Sequence, residues 1–216
     1  MTSAKDSEDR VGVTDAVDAL LWQWVDHINR NPYRQVTRPE WFACTGELTL
    51  AEQVTWFGMG DSGWSHDELP PGLGKAPVYA GFYWLREDGK PPVARACIVV
   101  VPLADPARIA AADWNDGYNG WEPAPLEGYA VLCSSPFDPK RSGDEGAEAH
   151  LREAKRLIEA GDGEGRRANY AEIITDPDRG GNALFFPVEG EERSGYEAVE
   201  PDGTVVCLAF IDYDSS

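Results

Sequence analysis

APVYAGFYWL (residues 76–85) and VARACIVVV (residues 93–101), joined across EDGK (residues 87–90), decide the fold class. Both arms are rich in β-branched and aromatic residues, and Asp88-Gly89 is a strong turn dipeptide, so the segment reads as a β-hairpin. The second arm is apolar almost throughout its far half. A strand that alternates has one wet face, whereas a continuous apolar run is buried on both, so this arm is expected in the middle of a sheet.

Outward from that hairpin, a second one closes the chain: YEAV (196–199), a Pro-Asp-Gly turn, then TVVCLAFID (204–212). Shorter strands are expected at EWFAC (40–44), YAVLC (129–133), AEIIT (171–175) and ALFFP (183–187), while LAEQVTWF (50–57) fits strand or helix. Gly58 to Gly74 carries five Gly and two Pro and reads as a loop, as does WNDGYNGW (114–121).

Two helices have clear periodicity. Val13, Val17, Leu20, Leu21, Trp24 and Ile28 recur at three- and four-residue steps behind Thr14 as N-cap, and Asn31-Pro32 stops the run near Arg30. Over 147–160, Ala147, Leu151, Ala154, Leu157 and Ile158 form one stripe, with Glu148–Arg152 and Lys155–Glu159 as i,i+4 pairs and Gly161 as C-cap. A short helix over Asp105–Asp113 has Asp105 at N-cap and Pro106 at N1. Helices and strands in this order imply an α+β fold: a largely antiparallel sheet with two main helices packed on it. The expected organisation is a frayed tail over 1–12 and a single domain over 13–216.

No motif fixes a reaction. GMGDSG (58–63) matches G-x-G-x-x-G, but WSHDELPPG follows it and cannot supply the helix N-terminus that a pyrophosphate needs. GDSG (60–63) surrounds the nucleophile of chymotrypsin-like proteases, yet only His27, His66 and His150 exist as bases and the all-β double-barrel pattern is missing. His66-Asp67-Glu68 are too close in sequence to ligate one metal together, and DWNDGYNGWE (113–122) departs from EF-hand spacing. Cys44, Cys97, Cys133 and Cys207 never form a CxxC pair, and the last three sit in apolar runs as structural thiols. No catalytic residue, metal or cofactor is assigned.

The strongest functional signal is compositional. Asp plus Glu number 38 against 19 Lys plus Arg, a net charge of −19, and the chain also holds eight Trp, eight Tyr and seven Phe. The aromatics speak for a folded body. The charge repels nucleic acid and anionic membranes at long range and favours a basic protein partner. A start without an apolar signal core points to the cytoplasm. Five Lys against fourteen Arg also resembles the background of a GC-rich genome, which is the bland explanation of the acidity.

Loop aromatics ringed by acids have the composition of interface anchors. Trp64, Trp114, Tyr118 and Trp121 are therefore the candidate anchors, with Asp61, Asp67, Glu68, Asp113, Asp116 and Glu122 as steering charges. The competing reading has these rings folding back to cap the sheet.

LPPGLGKAPVY (69–79) before a hairpin, GYAVLCSSPFD (128–138) before a helix, and SGYEAV…DGTVVCLAFIDY (194–213) together resemble an uncharacterised bacterial domain family of the kind met in actinobacterial genomes. Where that pattern has an Asp-Ala-Gly-like string, this chain has Cys133-Ser134-Ser135. The resemblance implies a fold and no activity. The expected function is an acidic cytoplasmic protein-binding domain, of the immunity or inhibitor kind, that neutralises a basic toxin or enzyme. The alternatives are an enzyme with its site in loops 58–68 and 113–122, and a DNA mimic.

Overall fold

The computed structural model describes residues 13–30, 36–51, 54–57, 64–66, 69, 74–116, 128–134, 137, 139, 143–160, 169–189 and 192–213. The tail expected over 1–12 and the C-cap expected at Gly161 lie outside them. Eleven strands and three helices follow one another along these residues. They are α1 (Asp15–Ile28), β1 (Trp41–Thr49), β2 (Val54–Phe57), β3 (Trp64–His66), β4 (Lys75–Leu85) and β5 (Val93–Pro102). Then come α2 (Pro106–Ala111), β6 (Asp113–Asp116), β7 (Tyr129–Ser134), α3 (Asp144–Ala160), β8 (Ala171–Asp176), β9 (Gly181–Pro187), β10 (Glu192–Val199) and β11 (Val205–Tyr213).

The α+β class and the antiparallel pairing hold, but the single sheet does not. The strands form a six-stranded sheet, β1-β4-β5-β11-β10-β6, and a five-stranded sheet, β3-β2-β7-β9-β8. Residues from both meet in one core: Ala80, Phe82, Val99 and Phe210 from the first pack with Leu132, Leu184 and Phe186 from the second. The helices lie on opposite outer faces. Leu21, Trp24 and Val25 of α1, with Ile109 of α2, pack on Tyr79, Ile98, Val100 and Ala209 of the six-stranded sheet. Leu151 and Ala154 of α3 pack on Val131, Cys133, Ile173 and Phe185 of the five-stranded one. Two packed sheets account for the unbroken apolar strands, because each central strand faces a sheet on one side and a helix on the other.

The hairpins form as read, with β5 between β4 and β11. Their alternation is reset by bulges. Gly81 pairs with Ile98 and Phe82 with Ala96, so Cys97 is an extra residue, and its thiol donates to the Gly81 carbonyl at 3.5 Å. As a result Ala94 and Ala96, then Val99 and Val101, all reach the inter-sheet core, while Cys97 and Ile98 both join the α1 side. Val206 is the extra residue opposite Ala198/Val199. A third bulge lies between Cys44 and Glu47, where Gly46 takes φ +109°, a conformation that suits glycine.

Other differences are local. β1 runs on to Thr49, and 54–57 is strand. Trp64–His66, expected in a loop, pairs with Val54–Trp56, bringing Trp64 opposite Trp56. On α3 the Glu148–Arg152 pair forms at 3.4 Å, but Leu157 is 38% exposed and Lys155 lies over the Tyr129 ring. Among the described residues no helix is long and apolar enough to cross a membrane.

Asn182, 3% exposed, ties the two sheets together. Its Nδ2 donates to the Glu47 carbonyl and to Glu172 Oε1, both at 2.7 Å, and its Oδ1 accepts from the Thr49 N–H at 2.9 Å. Beside it, a Cβ at Gly181 would stand 1.9 Å from the Phe137 ring. Gly181→Ala should therefore lose about 2–3 kcal/mol in urea unfolding, as an overpacked site. Gly74→Ala, where a Cβ would meet nothing within 4 Å, should stay within about 0.5 kcal/mol of the parent. Equal midpoints for the two variants would contradict this packing.

Candidate functional site

The site grows out of α1. Thr14 accepts from the Val17 N–H as N-cap, and the 3.6-residue repeat then sets Leu20, Trp24 and His27 on one side of the helix. Beyond the helix, Asn29 Oδ1 accepts from the Val36 N–H at 2.9 Å, holding both ends of the 30–36 connection together. The opposite side of α1 is fixed by Trp22 edge-on to Phe42, with the Arg38 guanidinium 5.1 Å from the Trp22 ring and 2.7 Å from Asp26.

α2 forms a second wall. Asp105 Oδ1 accepts from the N–H groups of Ala107 and Arg108 at 3.0 and 3.1 Å, Pro106 occupies the first turn, and Ile109 is buried. Arg108 makes a two-pronged pair with Glu200 at the β10–β11 turn, with Nε donating to Oε1 at 2.9 Å and Nη2 donating to Oε2. The guanidinium holds the Glu200 carboxyl below its usual range, and the carboxylate in turn raises the Arg108 pKa.

β6 is the third wall and corrects the first part of the loop expected at 114–121, whose residues 117–121 lie outside the described ones. Asp113–Asp116 is a strand, paired antiparallel with β10 so that Ala198 faces Trp114 and Glu197 faces Asn115. Trp114 is half-buried, and its ring lies on Trp24 with centroids 3.4 Å apart and planes 19° apart. His27 stacks on Trp24 at 5.2 Å, and Tyr196 meets it edge-on at 5.4 Å. Stacking of this kind adds about 1 kcal/mol per pair beyond the area buried. It explains why a tryptophan among Asp and Asn leaves the loop conformation for a sheet margin.

Between these walls lies a groove of about 260 Å³, bordered by Gln23, Trp24, His27, Arg30, Asp113 and Trp114. Its lining sets the indole pair and the alanines at the end of α2 beside Gln23, His27, Arg30 and Asp113, and its polar part is the larger. Such a cleft can take a side chain or small group by ring contact and orient it by charge.

Two of the expected site residues, Trp114 and Asp113, border this groove, and Asp116 belongs to the same strand. Trp114 serves as part of the groove wall packed on the core, rather than as a free anchor. Trp64 sits on β3 in the five-stranded sheet, which touches β10, whereas the Trp114 ring lies on the helix-covered face of the other sheet. Asp61, Asp67, Glu68, Tyr118, Trp121 and Glu122 lie outside the described residues. Sequence reading missed Gln23, His27 and Arg30. Their signal was available, since each lies three or four residues from its neighbour along the helix side that carries Trp24. Among the described residues no three of His, Cys, Asp and Glu are grouped to hold a metal ion.

No protein-family model, no curated protein and no solved structure matches this chain.

The Arg108–Glu200 pair gives a pH test. A carboxyl whose folded pKa lies below its unfolded one contributes stability above the unfolded value and loses it as the pH falls through the folded one. The Glu200 carboxyl carbon should titrate in NMR below the ordinary glutamate range, and Arg108→Gln should return it there. A midpoint unmoved by Arg108→Gln would mean that the pair does not hold this wall of the groove.

Proposed function

We propose that this chain is an acidic protein-binding domain of the immunity or inhibitor kind, which neutralises a basic toxin or enzyme. The observation that carries the reading is the groove at β6: a mostly polar cleft bordered by the stacked indoles of Trp24 and Trp114 and by Asp113, in a chain of net charge −19. Steering and docking are divided between the two features. The negative field raises the encounter rate with a cationic partner, and the cleft slows release once a side chain is seated. The four cysteines are free thiols, three of them buried, which supports a reducing compartment and hence the cytoplasm.

Nucleic acid is a poor partner for the same reason that a basic protein is a good one. A DNA mimic needs carboxylates in a row at phosphate-like spacing. Here many acids are engaged locally instead, as in Glu40 with Arg86, Glu153 with Arg156 and Glu200 with Arg108.

The test is retention of a basic protein by the immobilised chain at low salt, its release by salt, and kinetics with the purified partner. Asp113→Lys should slow association by about tenfold at low ionic strength and flatten its salt dependence, with little change in release. A partner that associates with this variant at the parental rate, or a lysate from which nothing basic is retained, would defeat the reading.

A further inference from the structure

Arg30 and Asp113 border one groove without pairing across it. Among the described residues, neither side chain has a hydrogen-bond or ion-pair partner, and the Gln23 amide on the same lining is likewise unengaged. Other arginines of the chain are closely matched: Arg38 with Asp26 at 2.7 Å, Arg86 with Glu40 at 2.9 Å, and Arg108 with Glu200 through two bonds. Beside these groups Trp24 is 3% exposed, and its indole N–H has no acceptor among the described residues. A buried donor is cut off from water as well, so it carries a desolvation cost that an exposed one does not. Charges of both signs, an amide and an unmatched donor thus gather around one pair of stacked rings.

Size and charge define what fits. At about 260 Å³ the groove falls below the roughly 300–1,000 Å³ of sites for drug-sized ligands, so it suits a small metabolite rather than a nucleotide. A net anion meets both the −19 field and Asp113, whereas a net cation is drawn by that field but meets Arg30. A molecule carrying both charges satisfies both residues. Its anionic group matches the fork of the Arg30 guanidinium, and its cationic group matches the Asp113 carboxylate. Trp24, Trp114, Leu20, Ala110 and Ala112 on the same lining accept an apolar or aromatic body. We propose that the groove binds a small zwitterion with an aromatic or apolar side chain, the chemistry of a free α-amino acid. This goes beyond the protein-binding reading and does not rest on it, since no partner is needed to fill the site.

The probe is L-phenylalanine, titrated into the millimolar range and followed by NMR. Two capped forms separate its charges: N-acetyl-L-phenylalanine lacks the ammonium group, and L-phenylalaninamide lacks the carboxylate. The free amino acid should bind saturably, and each capped form about five- to tenfold more weakly. Arg30→Gln should abolish the preference over the amide, and Asp113→Asn the preference over the acetyl form. Both side chains are exposed, so neither change disturbs the core. On the unaltered chain the indole N–H signals of Trp24 and Trp114 should move with saturation. Those of Trp41 and Trp84, which pack in the inter-sheet core, should stay in place, a readout that does not depend on any variant.

No saturable binding, equal affinity for the three compounds, or equal shifts at all four indoles overturns the zwitterion site. So does an Arg30→Gln or Asp113→Asn variant that keeps the full preference of the parent. An end-capped Lys-Phe-Glu peptide carries the same charges on side chains, as the surface of a protein would. It should bind more weakly than the free amino acid, and tighter binding of the peptide assigns the groove to a protein segment instead. The protein-binding reading keeps its own outcome: a basic partner that associates with Asp113→Lys at the parental rate defeats it whether or not phenylalanine binds.

Discussion

Burial of the six-stranded sheet on both faces is the constraint from which the rest follows. One face of β4, β5 and β11 meets the second sheet and the other meets α1 and α2. Neither face can carry many polar side chains, so the pattern of these strands is set by volume. Phe82 and Phe210 fill the inter-sheet side, and Ala80, Ala96 and Gly81 let opposing groups approach. A Cβ at Gly81 would stand 2.7 Å from Ile98 and 2.8 Å from Phe42. Bulges at Cys97 and Val206 shift the order of facing residues without exposing any, because both destinations are apolar. In a sheet with one wet face, the same shift would turn a run of hydrophobic side chains into water.

That constraint also decides how much could be read from residues alone. Hairpins announce themselves through local turn chemistry, so Asp88-Gly89 and Asp202-Gly203 led to both of them. The helices were legible through their spacing and through Thr14 and Asp105. The second sheet was not. The continuous apolar runs at 93–101 and 204–212 say that both faces are covered but not by what, and the partners of that burial are far apart in sequence. Asn182, which joins strands of both sheets, reads as an ordinary polar residue ahead of ALFFP. β3 and β6 were taken for loops because Gly, Asn and Asp in or around them outweighed the tryptophan in each, whereas in β6 stacking on Trp24 rewards the aromatic residue.

The candidate site was half legible for the same reason. Trp114 and Asp113 stood out as an aromatic beside an acid, and they do border a cleft. Trp24 stood out separately as a core residue of an amphipathic helix, which it is, at 3% exposure. Nothing local links the two. Their contact arises because α1 lies on the outer face of the sheet, with Trp22 on one side meeting Phe42 of β1 and Trp24 on the other meeting Trp114 of β6. The proposed site thus lies where the covering layer meets the sheet margin. There the core is still near enough to hold rings rigidly, and the surface is near enough for charge to act.

β6 ends its sheet, with no strand beyond it among the described residues, and this bears on how the chain behaves in bulk. One guard on such a sheet end is electrostatic: copies carrying nineteen surplus negative charges repel before their backbones can meet. Near the isoelectric point, about pH 4.4, that guard is gone. Acidification thus removes the repulsion that keeps the ends of such sheets apart, and the concentrated protein should associate most readily near that pH.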